Sequence, residues 1–297
     1  MFLLDDRLVT SPSDLRLAAT CEFALVSALD VRLGRAAVDH CADPMLDRIA
    51  ALGRQHEQRQ LLEFSARHPG RVVQFPRPDY STTGLTGAAE QTLAALRGDD
   101  ADVIVQGTFF DGGFVGHADF LERTEQGWLV SDAKLARSES VPALLQIGAY
   151  AACLADAGIP VAPTARLVLG TGDTSDHPLA DLLPVYRARR RRMDDVLTEH
   201  RADDDAARWR DPRWLACGRC PDCAAAAEAA RDVLLVAGVR MPTRRRLLEA
   251  GITSVEELAA CTEPVKDIRE SAMNRLVAQA RCSSSRTPTP RARSSPR

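Results

Sequence analysis

The chain has 297 residues, of which 27% are charged, and a formal net charge of −3. That length can bury one large core with small appendages, and the near-neutral balance excludes a uniformly basic coat, so any contact with a polyanion must come from local clusters. No apolar run is long enough to span a bilayer and no signal peptide precedes the first periodic segment, which predicts a soluble, cytoplasmic protein without a membrane partner.

Ser13 and Asp14 can cap a helix running to about Leu33, with Leu17, Cys21, Ala24, Leu25 and Ala28 at helical spacing. A second amphipathic helix is expected over Pro44 to Ala66, carrying the pair His56-Glu57. A loop around Pro76 to Gly87 and a short helix near Glu90 to Arg97 follow. Alternation then replaces the helical period. Asp102 to Phe109, Val115 to Arg123 and Trp128 to Leu135 read as strands, joined by turns at Asp111-Gly112-Gly113 and Glu125 to Gly127, which makes an antiparallel meander. Pro142 suits a helix start, Leu144 to Ala157 is helical and Gly158 ends it. Thr164 to Gly170 is an apolar, β-branched strand candidate beside the meander, and Leu182 to His200 is a charged helix. Short helices are expected from Val233 to Ala280, and Ser283 to Arg297 has the composition of a disordered tail.

Arginine supplies nearly all the positive charge, in clusters at Arg187 with Arg189 to Arg192 and at Arg244 to Arg246, and the only lysines are Lys134 and Lys266. Lys134 lies in Asp132-Ala133-Lys134, where residues two apart on a strand share a face. Across the hairpin, Gly116-His117-Ala118-Asp119 places Asp119 near the middle of the preceding strand. Two carboxylates held together repel at neutral pH unless a cation sits between them or one stays protonated, and oxygen ligands favour Mg²⁺ or Mn²⁺. Such an ion with a neighbouring ammonium suits phosphodiester hydrolysis. An ordinary cross-strand ion pair is the bland alternative. Gln146 and Tyr150, four apart, share a helix face and can reach the same group.

Cys217, Cys220 and Cys223 offer three thiolates in a short loop, the pattern of a metal site that lacks one ligand of a closed tetrahedron. A distant cysteine must complete it. Zinc and an iron–sulfur cluster both suit such a set. Cys41, Cys153, Cys261 and Cys282 have no partner at ligand spacing.

The order of a histidine on an early helix, G-x-x-D, D-x-K on the following strand and Q-x-x-x-Y on a helix resembles the RecB-like branch of the PD-(D/E)XK nucleases, most of all bacterial members whose motif strand runs into Leu135-Ala136-Arg137. The resemblance implies an α/β fold: a restriction-endonuclease-like core, a mixed central sheet flanked by helices, with a Cys-cluster region and a small C-terminal helical subdomain. It implies metal ligation by His56, Asp119, Asp132 and the Ala133 carbonyl. Lys134 would position the attacking water, with Gln146 and Tyr150 in support. His117 is an extra candidate ligand. In the AddB type and in CRISPR-associated relatives, one N-terminal cysteine joins three C-terminal ones around a 4Fe-4S cluster, which here implies Cys21 with Cys217, Cys220 and Cys223. Those relatives space the last two more widely than Cys220 and Cys223 are spaced here, and zinc stays the alternative.

Leu247 to Leu258 resembles half of a helix-hairpin-helix, an element that grips DNA backbones through amides at a Gly turn, and Arg244 to Arg246 would add phosphate contacts. The expected organisation is a nuclease core at 1–205, a cysteine segment at 206–235, a helical subdomain at 236–281 and a tail at 282–297. The expected function is a metal-dependent DNA nuclease, exonuclease-like on single-stranded DNA or ends, with a helicase or RNase H-like partner as in relatives. Two other classes compete: a non-catalytic, cluster- or zinc-stabilised DNA-binding or repair accessory module, and a zinc-stabilised protein-interaction domain.

Overall fold

A computed structural model describes residues 1–37 and 44–284, so Cys41 and the expected tail beyond Ser284 lie outside the described residues. The chain divides into two compact units, residues 1–206 and 207–297.

The first unit opens with a small hairpin of β1 (Phe2–Leu4) and β2 (Arg7–Val9), which sequence reasoning missed. The single helix expected up to Leu33 is two, α1 (Pro12–Thr20) and α2 (Glu22–Arg32). The break falls at Cys21, whose extended backbone ends one helix and caps the next, its Sγ accepting the Ala24 N–H at 3.4 Å. Next come α3 (Pro44–Arg67), β3 (Val72–Gln74) and α4 (Thr82–Arg97), the last one longer than expected because Ser81 caps it by accepting the Gly84 N–H.

The meander is present as β4 (Val103–Phe110), β5 (Val115–Thr124) and β6 (Gly127–Lys134), all antiparallel. After it α5 (Val141–Asp156) leads to β7 (Val161–Leu169), which lies parallel to β6, and β8 (Thr174–Pro178), unforeseen, closes the edge before α6 (Leu179–Arg201). The result is a six-stranded mixed sheet in the order β3-β4-β5-β6-β7-β8. Helices cover both faces. On one, Ile147, Tyr150, Ala151 and Leu154 of α5 bury against Ala118, Leu121, Val130, Ala165 and Leu167. On the other, Leu61 and Phe64 of α3 pack on Val103, Val105, Phe120 and Ala133. None of the helices is long and apolar enough to cross a membrane, among the described residues.

The second unit is helical: α7 (Pro221–Ala229), α8 (Met241–Glu249), α9 (Val255–Ala260) and α10 (Glu270–Ser284) around a core that includes Val233, Leu247, Val255, Leu258 and Leu276. Its centre is ionic. Asp232, fully buried, accepts two bonds from Arg244 at 2.8 Å each, one from Trp209 Nε1 at 2.8 Å and one from Arg210 at 3.0 Å. These donors, with the Leu234 N–H, hold the Asp232 carboxyl down at a pKa of about 2 against the opposing effect of burial.

This arrangement removes Arg244 from the cluster expected to touch phosphate. Arg244 is buried and spent on Asp232, while Arg246 donates to the Asp267 carbonyl. Nor does the turn between α8 and α9 offer amides to a ligand. The N–H groups of Gly251 and Ile252 return to the carbonyls of Leu248 and Leu247, Thr253 and Ser254 donate to the Glu257 carboxylate, and Val255 donates to the Arg231 carbonyl. Each donor that a helix-hairpin-helix would aim at phosphate is already satisfied.

Candidate active site

The β4–β5 ladder pairs Val105 with Phe120 and Gly107 with Ala118 but skips Gln106 and Asp119 between them, because Gln106 adopts a left-handed φ of 57°. The β5–β6 ladder likewise stops at Phe120 and Ser131. Past that point the Asp119 side chain takes over from the backbone: its Oδ2 accepts the Ala133 N–H at 3.1 Å, and its Oδ1 accepts from Gln106 Nε2 at 3.3 Å. Two local irregularities thus open the sheet where the acids stand, and one of the acids closes the gap.

Asp132 continues the same register opposite Asp119 and is fully buried. Lys134 Nζ lies 2.6 Å from its Oδ2, and neither Asp132 oxygen has any further hydrogen-bond partner among the described residues. Burial pushes the Asp132 carboxyl well above the usual carboxylate range, and the adjacent Asp119 charge pushes the same way, while Lys134 opposes both. The ammonium passes the constraint onward, donating to Gln146 Oε1 at 3.0 Å, and Gln146 Nε2 donates to the Tyr150 hydroxyl at 3.2 Å. Asp132, Lys134, Gln146 and Tyr150 therefore form one connected chain, which gives the Q-x-x-x-Y spacing on α5 a physical reason. Burial raises the Tyr150 pKa, and the two aspartates raise it further, so its hydroxyl keeps its proton.

Gly116 belongs to this construction. A Cβ there would sit 2.6 Å from Tyr150 Cε1, inside the ring's contact radius, so only glycine lets β5 pass under the tyrosine.

Above these groups lies a cavity of about 410 Å³ whose lining includes Asp119, Lys134, Gln146 and Tyr150, with Glu57, Arg77, Tyr80 and His117 facing them. Asp132 sits beneath it, reached through Lys134. Glu57 is the carboxylate on the helix side: burial raises its pKa first and Asp119 second, against Lys134, Arg77 and Arg54. Its neighbour His56 is turned away from the cavity. His56 is buried with Nε2 3.3 Å from the Val168 carbonyl and Nδ1 3.4 Å from Arg59, and it is not among the lining residues. The pair His56-Glu57 therefore contributes its glutamate to the cavity; residues adjacent on a helix point about 100° apart, and sequence alone does not choose between them. His117 has both ring nitrogens engaged, with Thr108 Oγ1 and the Tyr80 hydroxyl at 3.0 Å each, and burial lowers its pKa to about 4, leaving it neutral.

A second hollow, about 490 Å³, lies beside β2, and two of its acids are committed: Asp111 caps its own turn and Asp194 pairs with Arg190.

In the second unit, Cys217, Cys220 and Cys223 bring their sulfurs within 4.8 Å of one another, a cysteine group that could hold a metal ion. Cys217 Sγ is 4.0 Å from Cys223 Sγ and accepts the N–H groups of Arg219 and Cys220 at 3.4 and 3.3 Å. Cys220 caps α7 and accepts the Cys223 N–H at 3.5 Å. Amides aimed at sulfur favour the thiolate form that a metal requires. Gly218 makes the loop possible, with φ at 70° and no room for a Cβ beside Met241 Sδ. In the first unit Cys21 is buried.

The chain matches no family model and no curated protein.

Proposed function

We propose that the chain is a metal-dependent DNA nuclease that hydrolyses phosphodiester bonds, exonuclease-like on single-stranded DNA, built on a restriction-endonuclease-like core of the RecB-like kind. The observation that carries this is Asp132: a fully buried carboxylate whose one cationic partner among the described residues is the Lys134 ammonium, set against a second carboxylate beneath an open cavity. Buried charges are held by partners or by metal ions, and an uncompensated one is expensive. Asp119, Asp132 and Glu57, with the Ala133 carbonyl at the strand end, are an oxygen donor set of the kind that takes Mg²⁺ or Mn²⁺. When bound there, such an ion supplies Lewis acidity toward a phosphoryl oxygen and favours a hydroxide nucleophile.

The protein's own groups divide the remaining work. Asp119 holds the two strands at the spacing that brings the carboxylates together. Lys134, pinned between Asp132 and Gln146, keeps a positive charge at the cavity floor where a phosphate would gain negative charge during hydrolysis. Tyr150 and Gln146 fix the direction of that ammonium. Glu57, rather than His56, closes the donor set from the helix side.

Cys217, Cys220 and Cys223 suit a thiolate-bound centre, and the resemblance to RecB-like nucleases implies Cys21 as its fourth ligand. A 4Fe-4S cluster is the reading carried over from the resemblance, and zinc fits the same four sulfurs. Metal analysis of protein purified without oxygen decides: iron with brown colour supports the cluster, zinc without colour supports the alternative, and neither metal overturns the assignment.

The function itself is tested by incubating a labelled single-stranded oligonucleotide with Mn²⁺ and either wild type or Asp132→Ala. Cleavage by the wild type alone supports the proposal. Tight binding without cleavage by the wild type would instead support the accessory-module reading.

A further inference from the structure

Of the three tyrosines, Tyr150 and Tyr186 are buried, while Tyr80 is 44% exposed at the rim of the cavity. It is no loose surface ring. Its hydroxyl lies 3.0 Å from His117 Nε2, His117 Nδ1 lies 3.0 Å from Thr108 Oγ1 on β4, and the Phe2 ring packs on it with centroids 5.4 Å apart at 59°. A relay into the sheet thus holds the tip of the ring and an aromatic neighbour holds one flank. The His117 ring lies 6.0 Å away at 51°, and the exposed part of the tyrosine shares the cavity with Asp119 and Glu57. Arg77 lines the same cavity, close enough for its charge to act on both Glu57 and His117, and among the described residues no carboxylate forms an ion pair with it.

An anchored aromatic surface, an uncommitted guanidinium and a floor of carboxylates and lysine are three different recognition chemistries in one cavity. Aromatic rings stack on bases without regard to sequence, because every base has a π-face. A guanidinium matches the geometry of a phosphate. A base inside a duplex has both faces occupied by its neighbours and cannot offer one to Tyr80, whereas an unpaired base can.

We propose that Tyr80 and Arg77 form a nucleotide subsite of this cavity, in which Tyr80 stacks one unpaired base and Arg77 holds an adjoining phosphate, so that the cavity selects single-stranded nucleic acid. This rests on the nuclease reading and adds the residues that choose the strand form. A preanchored ring loses little rotamer freedom on stacking, which is the advantage of tying its hydroxyl to His117.

The test is a binding titration of a fluorescent single-stranded oligonucleotide in Ca²⁺, using wild type, Tyr80→Ala, Tyr80→Trp and Arg77→Gln. A set of oligonucleotides carries one abasic position moved along the strand. At one position, loss of the base weakens wild-type binding on the order of tenfold but leaves Tyr80→Ala unchanged, since the stacking partner is already gone. Tyr80→Trp keeps the sensitivity to the missing base, and a thermal melt at the wild-type temperature establishes that Tyr80→Ala is folded. Arg77→Gln lowers the slope of log affinity against log salt by about 0.7, the value for one phosphate contact on a single strand. Equal abasic penalties in wild type and Tyr80→Ala overturn the proposal. If the wild type cleaves DNA in Mn²⁺ and those penalties are equal, the subsite is wrong and the nuclease reading stands. If it neither binds nor cleaves, both fall.

Discussion

Replacing Asp132 by asparagine keeps its shape and removes its charge, and the structure predicts opposite effects on stability and on metal response. The carboxylate is fully buried, its oxygens have no hydrogen-bond partner apart from the lysine contact, and burial together with Asp119 drives its pKa upward. A buried polar group left unsatisfied costs about 1–3 kcal/mol, and more when it is charged. Lys134 would lose its ion pair, but its side chain is 31% exposed and keeps its bond to Gln146, so that loss is small. The amide also leaves polar atoms to satisfy, so only the charge penalty is relieved, and metal-free Asp132→Asn should be more stable than metal-free wild type by about 1 kcal/mol, which for a unit of this size is a rise in melting temperature of roughly 2–4 °C. Metal reverses the order. A divalent ion at a hundred times its Kd stabilises the wild type by about 2.7 kcal/mol, and the asparagine variant loses that gain. Differential scanning fluorimetry with chelator and with millimolar Mn²⁺ measures both. A metal-free variant that melts below wild type and still responds to Mn²⁺ in full would refute the reasoning, because Asp132 would then be a satisfied structural acid.

Other expected outcomes concern the residues around this cavity and the buried acid of the second unit. Gly116→Ala forces a Cβ to 2.6 Å from the buried Tyr150 ring, so it should destabilise by about 1–3 kcal/mol and disturb the Gln146–Lys134 chain, read by chemical denaturation. Glu57→Gln should weaken the Mn²⁺-induced shift, whereas His56→Gln should leave it unchanged, and the reverse pattern would return the ligand role to the histidine. Asp232→Ala leaves Arg244 buried without its partner and should cost about 3–5 kcal/mol. In the wild type, Asp232 has a folded-state pKa of about 2, below its ordinary value, so it contributes stability above about pH 4 that is lost as the pH falls toward 2, and acid titration of α-helical circular dichroism should show that step missing in Asp232→Asn.

The meander, the long helix after it and the acid pair were legible because their signals are local: alternation, a proline at a helix start, and one of only two lysines in a chain whose positive charge is otherwise arginine. The break of the first helix at Cys21 was not, since nothing in a run of good helix formers announces an extended residue. The same limit applies to Gln106, whose left-handed backbone opens the ladder beside Asp119 without the glycine that normally marks such a conformation. Strands β3 and β8 are short and draw their stability from pairing with β4 and β7, which a one-dimensional pattern does not contain. Arg244 departs from the expected basic cluster for a third reason. Charge type is visible in a sequence, but Asp232, twelve residues before Arg244, turns the first of those arginines into a core residue.

The most direct measurement is single-turnover cleavage of a labelled single-stranded oligonucleotide by wild type and Lys134→Ala in Mn²⁺, with binding followed separately in Ca²⁺. Lys134 donates to Asp132 and Gln146 at the cavity floor. Removing its ammonium should cut the cleavage rate at least a hundredfold, on the scale of losing one preorganised electrostatic contact, while DNA affinity changes little. Equal cleavage rates for the two proteins, or no cleavage by folded, metal-loaded wild type, would contradict the assignment of this cavity as a nuclease site.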